Sequence, residues 1–222
     1  QIPTPVWQVM KLANEKLKPL PYPVIAKPVY EHCAIGLSQK SVVANEAELR
    51  SLAEELIALY DQPVLVEEFI EGLEAHVTVL EIKGKPWVLP PAVISFKKKE
   101  GYMGILTYQS KWKGGTWESD MTEWVEEPLD KKIAGEIERI AKACYIGLGG
   151  RSYPRIDMRI RGKEVLALEI NNNPGIDFDP ESGIAYSAMK AGLTWESLLE
   201  NIVTETVGWT RLSKHFGPKL ER

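Results

Sequence analysis

Two neighbouring segments, residues 155–161 and 165–171, alternate apolar and polar residues and are joined by a loop of three residues. This pattern predicts a β-hairpin with one buried face. In the register set by that loop, Asp157 lies opposite Glu169, and Asn171 follows two residues further along the second strand. Like charges directly opposed across two strands are unfavourable unless a cation lies between them. The two carboxylates and the amide oxygen therefore predict a Mg²⁺ site that shares its remaining ligands with phosphate oxygens.

The register of this hairpin follows from the need to keep one face apolar. With Asp157 opposite Glu169, the predicted apolar face consists of Ile156, Met158, Ile160, Leu166, Leu168 and Ile170. The predicted polar face consists of Arg155, Asp157, Arg159 and Arg161 against Val165, Ala167, Glu169 and Asn171. An ordinary solvated face with cross-strand ion pairs is the alternative. It accounts less well for Val165 and Ala167, which are not typical of a water-facing strand.

Helical segments alternate with β-prone segments along the chain, which predicts an α+β fold. The clearest helix is residues 45–60, where Asn45 can cap the first turn with Glu48 three residues later. Its predicted apolar stripe consists of Leu49, Leu52, Ala53, Leu56 and Leu59. Further helices are predicted near residues 128–145, 183–191 and 194–206.

Strands are predicted at residues 21–29, 63–70 and 76–82. The first of these is expected near a sheet edge because prolines bound it. Residues 97–127 form a long segment rich in Gly, Lys, Trp and Glu. Long segments of this kind inside compact domains are often functional, so residues 101–117 are a candidate lid.

The composition is that of a chain able to bury a core, since 44% of its 222 residues are hydrophobic. A net charge of −4 gives no indication of nucleic acid or an anionic membrane as a partner. No stretch approaches the roughly 18 apolar residues of a membrane span. Cys33 and Cys144 do not make a disulfide framework and are typical of reduced thiols in a cytoplasmic protein. The first residues, QIPTPVW, begin like a linker, so we expect the chain to be one part of a longer protein.

The hairpin and the residues that follow it resemble the metal-binding hairpin of ATP-grasp enzymes, in particular the D-alanine–D-alanine ligase group. The resemblance rests on YPRIDMRI and GKEVLALEINNNPG, in which an Arg-x-Asp strand is followed by a Glu-x-Asn strand and Pro-Gly. Further segments resemble other parts of the family in the same order: PVIAKPVYEHCAIGLS, VLVEEFIEGLE, TYQSKW and AMKAGLTWESLLENIV. Together these segments extend the resemblance over nearly the whole chain.

The resemblance implies an α+β ATP-grasp fold, in which a nucleotide is held between the sheets of two subdomains. Residues 21–73 would form the small, or lid, subdomain and residues 74–212 the catalytic subdomain. Residues 1–20 would be a linker or helix after an N-terminal domain, and residues 213–222 a C-terminal tail. Because the family's N-terminal domain contributes to the carboxylate site, that domain or another chain, as in a homodimer, would supply the missing wall.

The resemblance also implies an ATP site. Lys27 and Lys111 would contact the phosphates from opposite sides, and Glu74 would accept hydrogen bonds from the ribose hydroxyls. The adenine pocket would be lined by Glu67, Phe69 and Ile70. The alternatives are a solvated edge lysine for Lys27 and a plain charged strand end for Glu67.

The implied chemistry is amide formation through an acyl phosphate. Asp157, Glu169 and Asn171 would hold two Mg²⁺ ions, or Mn²⁺ in their place, with Glu169 bridging them. Arg155 and the backbone N–H of Gly175 would stabilise negative charge on the reacting carboxyl group. The γ-phosphoryl group of ATP would pass to a small carboxylate, and an amine would then attack the acyl phosphate. The implied activity is that of an ATP-dependent carboxylate–amine ligase acting on amino acids or peptides.

The segments expected to contact the substrates depart from the family. Glu31-His32-Cys33-Ala34 stands where these ligases usually carry Glu-Gly-Ser-Ser, and Trp112 stands where they usually carry a tyrosine. Residues 176–181, IDFDPE, replace a Ser/Thr-rich segment and would attract the ammonium group of an amine substrate. We therefore expect a product other than D-Ala-D-Ala. A genuine D-alanine–D-alanine ligase is the alternative, and an ATP-binding module without ligase activity is the alternative from another class.

Overall fold

Two antiparallel sheets and five α-helices make up the part of the chain that the structure describes. The computed structural model describes residues 1–126, 128–176 and 183–216, with side chains of the last helix up to residue 207. The first sheet contains β1 (Trp7–Met10), β2 (Val24–Pro28), β3 (Val42–Val43) and β4 (Val64–Glu68). The second sheet contains β5 (Leu73–Ile82), β6 (Lys85–Val88), β7 (Ala92–Phe96), β8 (Thr122–Trp124), β9 (Arg155–Arg161) and β10 (Glu164–Asn171). The helices are α1 (Glu46–Tyr60), α2 (Tyr108–Trp112), α3 (Lys131–Gly147), α4 (Gly183–Lys190) and α5 (Trp195–Phe216).

The order of the strands places β5 at the centre of the second sheet. That sheet runs β10-β9-β5-β7-β8, with β6 paired to the far end of β5, and the first sheet runs β1-β4-β2-β3. Strand β2 is therefore second from an edge of the first sheet. The edge strand beside it, β3, has two residues and pairs only with Val24 and Ile25. Residues 68–73 connect the first sheet, which ends with β4, to the second sheet, which begins with β5. The division into subdomains at residue 74 stays a prediction.

Helix α1 covers one face of the first sheet. Asn45 caps it as predicted, since its side chain accepts a hydrogen bond from the Glu48 backbone N–H. Leu49, Ala53 and Leu56 of the predicted stripe are buried against the sheet. Leu59 is an exception, because its side chain is 68% exposed. It lies in the last turn, about 80° around the helix from Leu49, and so falls outside the buried stripe.

Strand β5 is buried on both faces, but the two faces meet different partners. Ala75, Val77 and Val79 point to one side, where they share a core with α3. Because side chains alternate along a strand, Glu74, His76, Thr78 and Leu80 point to the other side. Leu80 lies under α4 and α5 in a separate apolar cluster. The two terminal helices thus cover one half of this face and leave the half that carries Glu74 and His76 open for a site.

The hairpin of β9 and β10 has the predicted pairing at its functional end and a different one near its turn. Asp157 lies opposite Glu169, and Arg155 lies opposite Asn171. The turn contains two residues rather than three, and a bulge between Ala167 and Glu169 shifts the register by one. Val165 and Ala167 consequently face the core, contrary to the prediction. Leu168 is displaced from the predicted apolar face and lines the cavity between the sheets.

The ends of the chain differ from expectation in two respects. Residues 1–20, expected to be a linker or helix, contain β1, which pairs with β4 along its whole length. Helix α5 continues to Phe216, beyond the predicted end at residue 206 and past residue 212, where a tail was predicted to begin. Among the residues that the structure describes, no helix combines the length and the apolar composition needed to cross a bilayer.

Helix α3 offers a matched pair of isoleucines for testing the second core. Ile140 is fully buried, and Ile146 on the same helix is 73% exposed. We expect Ile140→Ala to lower the free energy of unfolding by about 2–5 kcal/mol, because it removes buried methyl groups and leaves a cavity. Ile146→Ala should change it by about 0.5 kcal/mol or less. Equal losses in urea-induced unfolding of the two variants would contradict this packing.

Candidate active site

A cavity of about 800 Å³ lies between the two sheets. Both sheets contribute to its walls, as do the segment after β2, the segment that contains α2, and the start of α4. The eleven residues predicted to contact the nucleotide, the metal or the reacting carboxyl group all line this cavity: Lys27, Glu67, Phe69, Ile70, Glu74, Lys111, Arg155, Asp157, Glu169, Asn171 and Gly175. The fold therefore brings together residues that are as far apart as positions 27 and 175.

The wall formed by the first sheet carries a buried ion pair. Lys27 on β2 and Glu67 on β4 are diagonal neighbours on the cavity face, and their Nζ and Oε2 atoms lie 2.7 Å apart. Burial lowers the pKa of Lys27, but the carboxylates of Glu67, Glu169 and Glu74 outweigh burial and raise the pKa above its usual value. Lys27 is therefore not a solvated edge lysine, and Glu67 is not a plain charged strand end.

The connection between the sheets supplies the apolar part of the cavity. Phe69 and Ile70 follow β4 directly and line the cavity, with Ile70 almost fully buried. Glu68, the last residue of β4, also lines the cavity and forms an ion pair with Arg161 at 2.6 Å. An apolar slot next to backbone groups of an extended segment can receive a planar base.

Glu74 at the start of β5 is buried and held by two neighbours. Its Oε2 lies 2.9 Å from Arg159 Nη2, and its Oε1 lies 3.1 Å from His76 Nε2. Burial raises the pKa of Glu74, but Arg159 and His76 lower it by more, and Lys111 lowers it further from across the cavity. The carboxyl group is therefore held ionised, and both of its oxygens already have a partner.

Sequence reasoning gave no role in the site to His76 or Arg159, which both line the cavity. The signal for them was present in the alternation of the strands. His76 pairs with Asp157, and Glu74 pairs with Arg159, across β5 and β9. Side chains that are directly opposed on adjacent strands share a face. A predicted pairing of β5 with β9 would therefore have placed both residues beside the metal and nucleotide positions.

The predicted metal ligands line the cavity and are hydrogen-bonded to one another. Arg155 donates to both oxygens of Asp157, from Nε at 2.6 Å and Nη2 at 2.8 Å. The Asn171 amide nitrogen donates to Asp157 Oδ2 at 3.2 Å and to Glu169 Oε1 at 3.1 Å, and so bridges the two carboxylates. Burial raises the pKa of Asp157, but His76 and Arg155 outweigh burial and leave it lowered. Asp157 is therefore an anion beside a second carboxylate.

This donor set fits Mg²⁺. The bridging amide nitrogen shows that the two carboxylates lie close enough to share one electropositive group. Within the described ranges, no group of three or more His, Cys, Asp or Glu side chains is arranged to hold a metal ion. The predicted protein ligands are two carboxylates and an amide, and Mg²⁺ bound to a nucleotide typically takes one or two carboxylates and completes its shell with phosphate and water.

Lys111 and Gly175 line the cavity from two different segments of the chain. Lys111 belongs to the short helix α2, which Thr107 caps, and its side chain is exposed. Gly175 follows β10 and the Asn-Pro turn, where its backbone lines the cavity. Asp177 and Asp179, which carry the prediction of an acidic amine site, lie outside the described residues.

The segment that contains α2 is joined to the first sheet's side of the cavity by a group of hydrogen bonds. Glu118 Oε2 accepts from Gln39 Nε2 at 2.8 Å and from Thr107 Oγ1 at 2.6 Å. The backbone N–H of Met103 donates to Gln39 Oε1 at 2.8 Å. Glu118 and Thr107 are both buried. Residues 102–118, which contain most of the predicted lid of residues 101–117 and which we call the lid segment, are therefore anchored by the side chain of Gln39.

Comparison with known proteins identifies the family. The family model described as D-ala D-ala ligase C-terminus matches residues 2–204. The chain belongs to this family. It is 32% identical over 204 residues to a D-alanine–D-alanine ligase of Syntrophotalea carbinolica, a match that covers 91% of this chain and 60% of the relative. It is 29% identical over 203 residues to the uncharacterized protein y4sG of Sinorhizobium fredii, covering 91% of this chain and 57% of that protein.

Solved structures of the D-alanine–D-alanine ligase from Bacillus anthracis share the fold. One matches with a TM-score of 0.74 at 24% identity, covering 97% of this chain and 65% of that chain. A structure of the ligase from the same organism complexed with ATP matches with a TM-score of 0.70 at 23% identity, covering 97% and 63%. The predicted α+β class and ATP-grasp fold are thereby confirmed. The chain spans about three fifths of the length of the curated relatives that it matches.

Two departures from the D-alanine–D-alanine ligase pattern lie next to each other. Trp112 Nε1 donates to the backbone carbonyl of Cys33 at 3.2 Å. The Cys33 side chain is exposed, and its backbone has a φ of 56°, a left-handed conformation that non-glycine residues rarely adopt. Both residues line the cavity, so the two positions predicted to differ from the serine and tyrosine usual in the family form a contacting pair there.

Gln39 should determine how firmly the lid segment is held. Gln39→Leu removes the donor to Glu118 and the acceptor for the Met103 N–H, and so leaves buried polar groups short of partners. We expect amide hydrogen exchange in residues 102–118 to accelerate by about 10-fold or more. Gln109→Leu is the control, because Gln109 is an exposed glutamine within the same segment. Unchanged exchange in Gln39→Leu would show that this contact does not anchor the segment.

Proposed function

We propose that this chain is the nucleotide-binding and catalytic part of an ATP-dependent carboxylate–amine ligase that works through an acyl phosphate. The observation that carries the proposal is the convergence of all eleven predicted residues on one cavity between two ATP-grasp sheets. A solvated hairpin face would not place its carboxylates in one cavity with a partly buried lysine of a second sheet. The ligase activity of the whole protein is a proposal, because the chain spans only part of the length of its relatives.

ATP is the proposed nucleotide. The apolar slot at Phe69 and Ile70 suits a base, and the ionised Glu74 suits ribose hydroxyls, which donate to a carboxylate. Lys27 and Lys111 would offset phosphate charge from two sides of the cavity. A solved relative of the same fold is described as complexed with ATP, which supports this choice for the present chain.

The metal position is proposed at Asp157, Glu169 and Asn171. Mg²⁺ bound there with the nucleotide would neutralise charge that develops on the transferred phosphoryl group. The chain's own contribution is to hold two carboxylates ionised and adjacent, through the cross-strand pairing of β9 and β10. Two ions, with Glu169 as the shared ligand, remain the proposed number.

The chemistry is proposed to be stepwise. A carboxylate is a poor electrophile, and phosphorylation converts one of its oxygens into a leaving group. Arg155 and the Gly175 N–H would then face the oxyanion that forms when an amine attacks the acyl phosphate. The anchored lid segment would exclude water, which otherwise hydrolyses the acyl phosphate.

The proposed substrates are a small carboxylate and an amine of the amino-acid or peptide class. The Cys33–Trp112 contact replaces the pair usual in D-alanine–D-alanine ligases, which favours a different product. A genuine D-alanine–D-alanine ligase is the second candidate, supported by 32% identity to a protein of that name. The part of the relatives outside the match, or a second copy of the chain, is proposed to complete the carboxylate site. A cytoplasmic location remains a proposal.

The test is phosphate release from Mg-ATP in the presence of L- and D-amino acids and dipeptides, with mass spectrometry of condensed products. We expect one carboxylate–amine pair to stimulate release and to give a coupled amide. The assay should use this chain and its parent protein with any further segments. ATP binding without stimulation by any pair would support a nucleotide-binding module instead, and D-Ala-D-Ala as product would establish the second candidate.

A pair of glutamates on β10 provides the decisive variants. Glu169→Gln should lower turnover at least about 100-fold, the loss that follows removal of one electrostatic contact to a transition state. Glu164→Gln is the control, because Glu164 is exposed at the turn end of the same strand and pairs with Arg161. Equal activity of the two variants would exclude Glu169 from the reaction.

A further inference from the structure

Arg159 is the most highly connected charged side chain at the nucleotide end of the cavity. It projects from β9 and is only 5% exposed. Its Nη2 lies 2.9 Å from Glu74 Oε2 and donates to the Gly104 carbonyl at 2.9 Å, and its Nη1 donates to the Gly72 carbonyl at 3.4 Å. The guanidinium carbon also lies 4.7 Å from the ring centroid of Phe96. Arg159 therefore contacts four separate parts of the chain at once.

These contacts connect Arg159 to the proposed base slot, the proposed ribose contact and the lid segment. Gly72 lies in the connection between the sheets, two residues after Ile70 in the proposed base slot. Gly104 lies in the lid segment, and Phe69, whose ring centroid is 5.9 Å from the guanidinium carbon, lines the base slot itself. Glu74 is the proposed partner of the ribose. Arg159 is thus the one residue shown to touch the base, sugar and lid parts of the described site.

The backbone geometry shows how tightly this corner is built. Gly72 has a φ of 146°, and a Cβ placed there would lie 2.1 Å from the Ile160 carbonyl oxygen. The connection between the sheets therefore rests directly on β9 beside Arg159, and no other residue type fits at Gly72. A planar guanidinium can reach several acceptors in fixed directions, which the ammonium group of a lysine cannot do.

Glu74 is fixed in place but retains capacity to accept hydrogen bonds. A carboxylate offers about four lone-pair sites, and the structure shows one partner on each oxygen, Arg159 and His76. A hydroxyl group that approaches this carboxylate would find it charged and already oriented. Ordering of the acceptor before binding reduces the entropic cost of the new hydrogen bond.

We propose that Arg159 is a positioning residue that makes the site selective for nucleotides with ribose hydroxyls, by fixing Glu74 while it ties the inter-sheet connection to the lid segment. This role rests on the proposed function, because it takes ATP as the ligand and Glu74 as the ribose contact. A purely structural ion pair is the competing explanation, since buried pairs often tolerate replacement by apolar residues. The two explanations differ in whether replacing Arg159 changes the preference for a nucleotide with ribose hydroxyls.

The test compares the binding of Mg-ATP and of Mg-2′,3′-dideoxy-ATP to the full chain by calorimetry. We expect the wild type to prefer ATP by about 10- to 100-fold, as hydrogen bonds to a charged group require. Arg159→Met keeps the length and the aromatic contact but removes the donors. It should reduce this preference to within about 3-fold, mainly through weaker ATP binding, and Glu74→Gln should do the same.

The combined variant should then show no further loss of preference, because both changes break the same contact. Arg159→Lys is the second variant if Arg159→Met does not fold, with an intermediate preference expected. Arg139→Met is the control, because the ion pair of Arg139 with Glu136 lies on the exposed side of α3. It should retain the wild-type preference.

The outcomes separate this role from the proposed function. If Arg159→Met binds both nucleotides more weakly but keeps the wild-type preference, Arg159 is a structural support only and the inference is overturned. A wild type that binds ATP and dideoxy-ATP equally would also overturn it while leaving ATP binding intact. A wild type that binds neither nucleotide would overturn the proposed function, and this role with it.

Discussion

The structure depends on the pairing of each buried carboxylate in the cavity with a cation from a nearby strand position. Glu67 is paired with Lys27, Glu74 with Arg159, and Asp157 with Arg155. A buried carboxylate without such a partner would take up a proton, because burial favours its neutral form. The lowered pKa values of Glu74 and Asp157 show that the cations prevail. The ion pairs thus keep carboxylates charged in an interior that would otherwise favour their neutral form. These carboxylates can bind a metal ion or accept hydrogen bonds from hydroxyl groups.

The antiparallel register of the strands brings the members of these ion pairs together. Strand β5 has one face in the α3 core and presents Glu74 and His76 on the other, where β9 presents Arg159 and Asp157. Helices α4 and α5 close the rest of that face over Leu80. This face of β5 is therefore polar at one end and apolar at the other. The arrangement explains how a charged site can lie within a few residues of a dry core.

Local patterns in the sequence were sufficient for part of this arrangement. The pairing of Asp157 with Glu169 was predicted from strand alternation and a three-residue turn, and it holds because the bulge offsets the shorter, two-residue turn. The cap at Asn45 followed from its spacing to Glu48. The bulge near Leu168 could not be predicted, because residues 165–168 are all apolar and fit either face equally well. The link from Gln39 to Glu118 joins positions 79 residues apart, and no local pattern carries such a contact. Arg159 was assigned to the polar face, but its partners depend on which strand lies beside β9.

The same pairings define how the site would respond to its proposed ligands. Arg155 now covers both oxygens of Asp157, and the Asn171 amide bridges Asp157 to Glu169. A cation that shared these carboxylates would weaken the hold of Arg155, because two positive groups would compete for the same oxygens. Arg155 and Gly175 both line the cavity, so Arg155 would then be able to turn towards a substrate carboxylate. On the proposed function, the guanidinium that pairs with Asp157 would in this way become available to the reacting group once a metal ion is bound.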